Sequence, residues 1–280
     1  MLFDIINCMS HKLAVVSVVY QNYIILKDFF RSFNEQSNKD FKLFLTDLSV
    51  TKEPIKTELP ITLLEADNRG YAYGVNLGLK EAIKQGYDRF CIINNDTFVD
   101  NNFVGHVLTS ILNRPLSIIG GKIYYAPGYE YHKERYKQAD KGKVIWYAGG
   151  SVDWNNAFTK HVGVDEVDKG RFDQFETTDF VTGCLMCFDK RVIEKLGFLD
   201  EGYFLYYEDA DYCERAKRKG IKLYYDPKIV IWHKNAGSTE GSGSKIHQKY
   251  QKMNRLKFGL KYAPIKTKLH LLKNNLLSPI

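Results

Sequence analysis

Three groups of side chains in this chain have the type and spacing to do chemistry, and each follows an apolar or aromatic run. Asn94-Asn95-Asp96 follows Arg89–Ile93 (RFCII). Alternate residues of an extended segment point the same way, so Asn94 and Asp96 can face one ligand. Mg2+ and similar ions use one or two carboxylates together with substrate phosphates and water, which makes Asp96 a candidate metal ligand. The same residues also read as a turn capping a helix that begins near Asn101. His233 closes Ile229-Val230-Ile231-Trp232. As a second ligand it would favour Mn2+ over Ca2+, because imidazole is softer than carboxylate oxygen; otherwise it is a hydrogen-bonded structural residue. Glu208, Asp209 and Asp211 start a helix behind the aromatic stretch 202–207. A carboxylate fixed among aromatics suits a general base. The alternative is acids complementing a helix dipole, with Asp211 and Arg215, and Glu214 and Arg218, as i,i+4 pairs. Gly70, Gly74 and Gly78 form neither a Rossmann fingerprint nor a P-loop, and are expected to let a helix pack closely or the backbone approach a ligand.

The elements that must hold these groups alternate between two periodicities. Leu13–Tyr20 (LAVVSVVY) is a continuous β-branched run, as a parallel strand covered on both faces requires. A helix over Tyr23–Phe33, strands over Phe41–Thr46 and Ile61–Glu65, a helix over Tyr71–Lys84 and a strand over Arg89–Ile93 come next, with short connections. This order predicts an α/β fold with an open, Rossmann-like, mostly parallel sheet flanked by helices. Ligands of such sheets bind beyond the carboxyl ends of the strands. Asp47, Asp67-Asn68-Arg69-Gly70 and Asn94-Asn95-Asp96-Thr97 each follow a strand and would meet on that edge. Further on, Asn101–Gly120 reads as a helix and then a strand ending at Gly120-Gly121, and residues 126–175 show no clear period, as expected of a functional insertion. A strand over Asp179–Phe188, a helix over Lys190–Leu196, a helix over Glu208–Lys219 and a strand over Lys228–Trp232 complete the body. Gly237–Ser244 (GSTEGSGS) reads as a hinge.

Charge separates this body from the C-terminal segment. Of 40 Lys and Arg and 33 Asp and Glu, residues 241–280 hold nine bases and no acid, leaving the first 240 residues at 31 bases against 33 acids. A near-neutral body argues against nucleic-acid binding. The basic tail, reading as helical, interleaves its cations over 245–273 with Ile246, Tyr250, Met253, Leu256, Phe258, Leu260, Leu269, Leu271 and Leu272, which suits an anionic membrane surface; the alternative is a helix packed on the body. Five cysteines, Cys8, Cys91, Cys184, Cys187 and Cys213, form no disulfide framework, and Cys184-Leu-Met-Cys187 reads as core strand rather than a zinc site. Met1–Ser10 lacks the basic start of a secretory signal, and no stretch approaches the length that spans a bilayer. These features predict a cytoplasmic protein, free or peripheral on the inner face of the cell membrane.

A wider set of residues, taken in order, carries a family resemblance. It comprises Val16–Tyr20, Asn68-Arg69-Gly70 with Gly74 and Asn76, Asn94–Thr97, Trp146-Tyr147-Ala148-Gly149-Gly150, Thr182-Gly183, and Gly197–Glu201 through Tyr207–Asp211 to Trp232-His233. Together these resemble glycosyltransferase family 2, in particular its rhamnosyltransferase-like branch, over residues 13–240. The resemblance implies a GT-A fold over 1–240, with a nucleotide-binding half at about 13–125 and an acceptor half at about 126–240, and then the basic tail 241–280. It implies an inverting transfer from a nucleotide-diphosphate sugar to a saccharide or lipid-linked saccharide of a surface polysaccharide, with Mn2+ or Mg2+. By its motifs, Asp209 would be the base beside Glu208, and Asp96 and His233 would hold the metal. Tyr20, Asp47, Asn68, Arg69, Gly70, Asn76, Asn94 and Asn95 would face the donor, and Trp146, Gly149, Gly150, Thr182 and Gly183 the acceptor. The chain departs from the family pattern in having Asn94 as the first residue of its DxD-type motif, and Thr46-Asp47-Leu48-Ser49 where Asp-Asn-x-Ser is common. A non-catalytic carbohydrate- or nucleotide-binding relative, and a sugar-phosphate nucleotidyltransferase, are the competing readings. The latter usually carries a glycine-rich loop with Arg where this chain has Tyr20-Gln21-Asn22-Tyr23. A homodimer is left open.

Overall fold

The computed structural model describes residues 12–234 and 245–277; the segment Met1–Ser10 with Cys8, and the expected hinge Gly237–Ser244, lie outside the described residues. The first half is built as its apolar runs require. Strands β1 (Leu13–Val19), β2 (Phe41–Asp47), β3 (Ile61–Glu65) and β4 (Arg89–Ile93) are joined by parallel ladders in the spatial order β3-β2-β1-β4. Burial on both faces explains why β1 and β4 carry almost no polar residues. Helix α1 (Leu26–Asn34), entered through a 3-10 turn at Tyr23–Ile25, buries Phe29 against Phe33, and Phe33 in turn against Phe41 and Phe103. Each such ring removed from water contributes about 2 kcal/mol. Helix α2 (Tyr71–Lys84) lies on β1 and β2 through its glycines: a Cβ on Gly74 would stand 2.9 Å from Val18, and one on Gly78 would stand 2.6 Å from Val16.

The second half folds back beside β4. After β5 (Thr97–Val99) and α3 (Phe103–Asn113) come β6 (Ser117–Tyr125), β7 (Ile145–Tyr147), β8 (Gly150–Asp153), β9 (Phe158–His161), β10 (Glu176–Thr177), β11 (Leu185–Asp189), α4 (Lys190–Leu196), α5 (Glu208–Arg218) and β12 (Lys222–His233). The main sheet runs β10-β12-β6-β11-β4-β1-β2-β3, with β11 antiparallel to both β4 and β6, and with β5 and β7 added on β12 and β6. β8 and β9 form a separate hairpin.

The three largest boundary differences from the sequence reading each have a tertiary reason. β6 continues through Gly120-Gly121 instead of ending there, because these glycines admit neighbours: a Cβ on Gly121 would stand 2.3 Å from the Ile229 carbonyl oxygen. β11 begins at Leu185, since residues 182–185 turn, with Leu185 N–H donating to the Thr182 carbonyl. β12 begins six residues early and absorbs Pro227 in a register shift between Asp226 and Val230. The region 126–175, without a period in sequence, is held by Lys122, buried and paired with Asp168 (2.7 Å) and Asp173. Cys91, Cys184, Cys187 and Cys213 are buried free thiols, with Cys91 opposite Cys187 across β4 and β11.

Helices α6 (Lys245–Tyr262) and α7 (Ile265–Leu277) form the basic tail and dock on the body. Phe258 stacks on Trp154, Thr267 donates to the Trp154 carbonyl, and Asn254, Phe258 and Leu271 are buried. The outer face keeps Ile246, Ile265, Leu269 and Leu272 exposed. Among the described residues, no helix is long and apolar enough to cross a membrane.

Candidate active site

The carboxyl ends of β1, β2, β3 and β4 share one edge, and the polar clusters meet there. Between the ends of β2 and β3 lies a cleft of about 510 Å³, lined by Leu48, Ser49, Lys52, Glu65, Ala66 and Asn68. Tyr20 stands half-buried at the end of β1. Asp47 shapes the cleft from behind: it is 1% exposed, accepts from the Tyr23 hydroxyl (2.6 Å) and the Ser49 N–H (2.9 Å), and lies 3.7 Å from Lys52 Nζ. Asn68 accepts from the Gly70 N–H, and Arg69 stacks on Tyr73. Gly70, at φ +102°, is required by a close approach, since a Cβ there would stand 2.4 Å from the Phe204 carbonyl oxygen.

At the end of β4 the chain passes through Asn94, buried Asn95 and buried Asp96 into β5. Asn94 N–H donates to the Cys184 carbonyl, and the Thr97 hydroxyl donates to the Asn94 carbonyl. Pairing of β5 with β12 sets Thr97 opposite His233, which brings His233 Nε2 to 3.2 Å from Asp96 Oδ1. His233 Nδ1 is buried without a hydrogen-bond partner. Trp146 lies edge-on to both His233 (4.6 Å) and His161 (4.5 Å). Burial pushes His161 down to about 4, so its neutral ring donates from Nδ1 to the Trp146 carbonyl. A carboxylate and an imidazole converging at a strand end fit one face of a divalent cation. Among the described residues no three His, Cys, Asp or Glu converge, so further ligands there would come from phosphate oxygens and water.

The second carboxylate group stands on the N-terminus of α5. Tyr206 (φ +68°) and Tyr207 (φ +71°) precede it in the left-handed region, sparsely used by residues with a Cβ. Asp209 accepts from the Gly183 N–H and the Ala210 N–H, both at 2.8 Å. A Cβ on Gly183 would stand 3.3 Å from Asp209 Cβ, so the glycine sets how closely this carboxylate seats. Burial raises the Asp209 carboxyl above its ordinary value. Glu208, 5% exposed and with Oε2 unpartnered, is raised well above, first by burial and then by the Asp209 charge. Asp211 is structural: it binds Arg215 (2.7 Å), Lys261 (2.7 Å) and the Tyr262 hydroxyl (2.8 Å). Glu214 pairs with Arg218, so both expected i,i+4 pairs form.

One residue that spacing did not single out joins the two groups. The Tyr71 hydroxyl lies 3.0 Å from Asn94 Oδ1 and 2.9 Å from the Gly183 carbonyl oxygen. Burial, then the charge of Glu208, raises its phenol well above the ordinary value. The available signal was its place as the first helical residue after Gly70, at the ligand edge.

Four residues expected at ligands have other work. Asn76, 1% exposed, donates to the Leu199 carbonyl and Glu201 and accepts from the Leu199 N–H, so it braces α2 against the 199–201 loop instead of facing a donor. Gly149 and Gly150 are buried, with Thr178 and Tyr225 beside the one and Phe180 beside the other. They let the 147–150 turn pack, and Trp146 is the member of that motif that reaches the site. Thr182 turns the chain, accepting from the Cys184 N–H.

Comparison with known proteins bears on the family and the fold. The sequence model of a family described as glycosyl transferase family 2 matches residues 14–197. The low-salt glycan biosynthesis hexosyltransferase Agl10 of Haloferax volcanii is 22% identical over 157 residues, covering 56% of this chain and 46% of that protein. The dTDP-rhamnosyl transferase RfbF of Shigella flexneri is 22% identical over 166 residues, covering 59% of this chain and 49% of that protein. The chain thus spans about half the length of the curated relatives it matches. A crystal structure of GalNAc-T7 with UDP, GalNAc and Mn2+ superposes with a TM-score of 0.69 at 14% identity, over 96% of this chain and 51% of that one. That likeness concerns the fold, which is GT-A.

Proposed function

The chain belongs to glycosyl transferase family 2, and from that premise we propose that it transfers a sugar from a nucleotide-diphosphate donor to a hydroxyl of a saccharide or lipid-linked saccharide, with inversion. One observation carries the reading. Asp209, seated on the Gly183 N–H, is linked through Tyr71 to the Asn94–Asp96 strand end, so a base and a diphosphate-side carboxylate share one edge. Rhamnose is the proposed donor sugar, in keeping with the branch resembled and with the dTDP-rhamnosyl transferase among the relatives. Assembly of a surface polysaccharide is the proposed setting.

The acceptor hydroxyl is a weak nucleophile until it loses its proton. Its proton passes to Asp209, whose raised carboxyl value suits taking it. The acceptor oxygen forms its bond to the anomeric carbon as the bond to the diphosphate oxygen breaks, and the nucleoside diphosphate leaves with that electron pair. A single displacement inverts the anomeric carbon. Asp96 and His233 would hold a Mn2+ or Mg2+ ion, which when bound supplies neutralisation of charge on the leaving group. The cleft lined by Ser49, Lys52 and Asn68 takes the nucleoside, with Asp47 fixing its wall and Tyr20 and Arg69 as further donor-side residues, and Trp146 borders the acceptor side.

Turnover of a panel of nucleotide sugars, with and without Mn2+, tests this reading. We expect one donor to be consumed in the presence of a saccharide acceptor. Asp209→Asn should lower kcat by about 10^2 to 10^4, with donor affinity held within about threefold. Full turnover by Asp209→Asn, or nucleotide binding without turnover of any donor, overturns the assignment.

The exposed apolar face of α6 and α7, with its surrounding lysines, supports a further part of the proposal: the protein lies on the anionic inner face of the cell membrane beside a lipid-linked acceptor. Co-sedimentation with phosphatidylglycerol vesicles measures this.

A further inference from the structure

We infer that Asn254, on helix α6, is a positioning residue that clamps the left-handed turn before Glu208-Asp209 and so sets where these carboxylates stand. The inference rests on the proposed transfer for its effect on rate, and on geometry alone for the clamp. Two consecutive tyrosines in the left-handed region do not hold that conformation unaided. The carbonyls of Leu205 and Tyr206 lie ahead of α5, outside its hydrogen-bond ladder. Both are met by one group, as the Asn254 side-chain N–H2 donates at 2.8 Å to Leu205 and 3.0 Å to Tyr206. Asn254 is itself 5% exposed and sits on the buried side of a helix pinned by Phe258 and by Lys261 and Tyr262 on Asp211.

The helix meets the turn residue by residue. Lys257 lies over the Tyr203 ring (3.9 Å), Tyr250 stacks on Phe204 (4.9 Å), His247 stands edge-on to Tyr206 (4.9 Å), and Phe258 packs on Tyr207 (5.5 Å). With Asn254 on Leu205 and Tyr206, every position from 203 to 207 touches α6. Phe204 in turn bonds the start of α2, its carbonyl accepting from the Tyr71 N–H (2.9 Å). Displacing the turn therefore moves Asp209 and the Tyr71 bridge together, while leaving the β4–β5 edge in place.

Asn254→Asp in the full chain keeps the size of the side chain and removes its donors. Hydrogen exchange should speed up about tenfold at 206–209 and stay unchanged at 89–96. Transfer kcat should fall about tenfold, with UDP and dTDP affinities within about twofold of wild type. Tyr206→Gly, which accepts the left-handed conformation without a Cβ, should recover about threefold of the lost rate in the Asn254→Asp background. Wild-type exchange and kcat in Asn254→Asp, nucleotide affinity lost in step with kcat, or no recovery on adding Tyr206→Gly overturns the clamp. A wild-type chain that turns over no nucleotide sugar removes the proposed function instead, and exchange at 206–209 then decides the clamp by itself.

Discussion

Asp96 and Asp209 are acids at the same sheet edge, but the chain holds them by opposite means. Asp96 lies between two strands: β4 ends three residues before it, β5 starts one residue after it, and the Lys234 N–H donates to its carbonyl. Its neighbour His233 is set by β12, whose register opposite β5 leaves little freedom. Asp209 rests on no strand. It follows a left-handed turn and depends on Gly183, Tyr71 and Asn254, drawn from three distant parts of the chain. The sheet thus builds the position proposed for the diphosphate side from strand register, and tertiary contacts build the one proposed for the base. In the proposed reaction an acceptor would enter and leave past the second position, which gives a reason for the difference.

Breaking the strand-built side should have the larger effect. Asp96→Ala and His233→Ala each remove half of the protein's donor pair, and Mn2+ affinity should fall by about 10- to 100-fold or more in a titration followed by nucleotide turnover. Full Mn2+-dependent turnover in either variant would remove that residue from the metal role and end the contrast.

On the side built by tertiary contacts, Glu208→Gln separates stability from activity. A carboxyl raised in the folded state above its unfolded value favours folding below the unfolded value, and that contribution is lost as pH rises through the raised one. The variant should therefore be more stable than wild type at pH 8, on the order of 1–3 kcal/mol for relief of a buried unpaired carboxylate. The gain should vanish below about pH 4. Melting temperatures at the two pH values measure it. Equal stability at pH 8 would mean that Glu208 is better solvated than its burial implies.

The smallest effect on turnover is expected on the outer face of the tail. Ile265→Ser with Leu269→Ser should reduce sedimentation with phosphatidylglycerol vesicles while nucleotide affinity is unmoved. Undiminished sedimentation would remove this face from membrane contact.

Much of the first half was legible in the sequence because its signals are local. Short apolar runs located β1 and β4, and Gly74 and Gly78 marked a helix lying close on strands. The site edge followed from the ends of those runs, where Asn94 follows β4 and Asp96 stands 3.2 Å from His233. Asn76, Gly149 and Gly150 were misplaced for the converse reason. A polar or small residue in a motif looks the same whether it meets a ligand or its own fold, and only the Leu199 and Glu201 partners of Asn76 distinguish the two. Tyr71 escaped because a tyrosine opening an amphipathic helix carries no mark of its hydroxyl's destination.

The tail completes the contrast. Its nine cations and absent acids were plain in the sequence and pointed outward, to a surface. The sequence by itself determined which strands form, where their polar ends meet, and the kind of chemistry those ends can do, since each follows from residue type and short-range period. Only the tertiary structure decided that the same tail turns a buried Asn254 inward onto the turn before Glu208-Asp209. A hydrogen bond between residues about fifty apart depends on how two helices dock, and no local pattern encodes that docking.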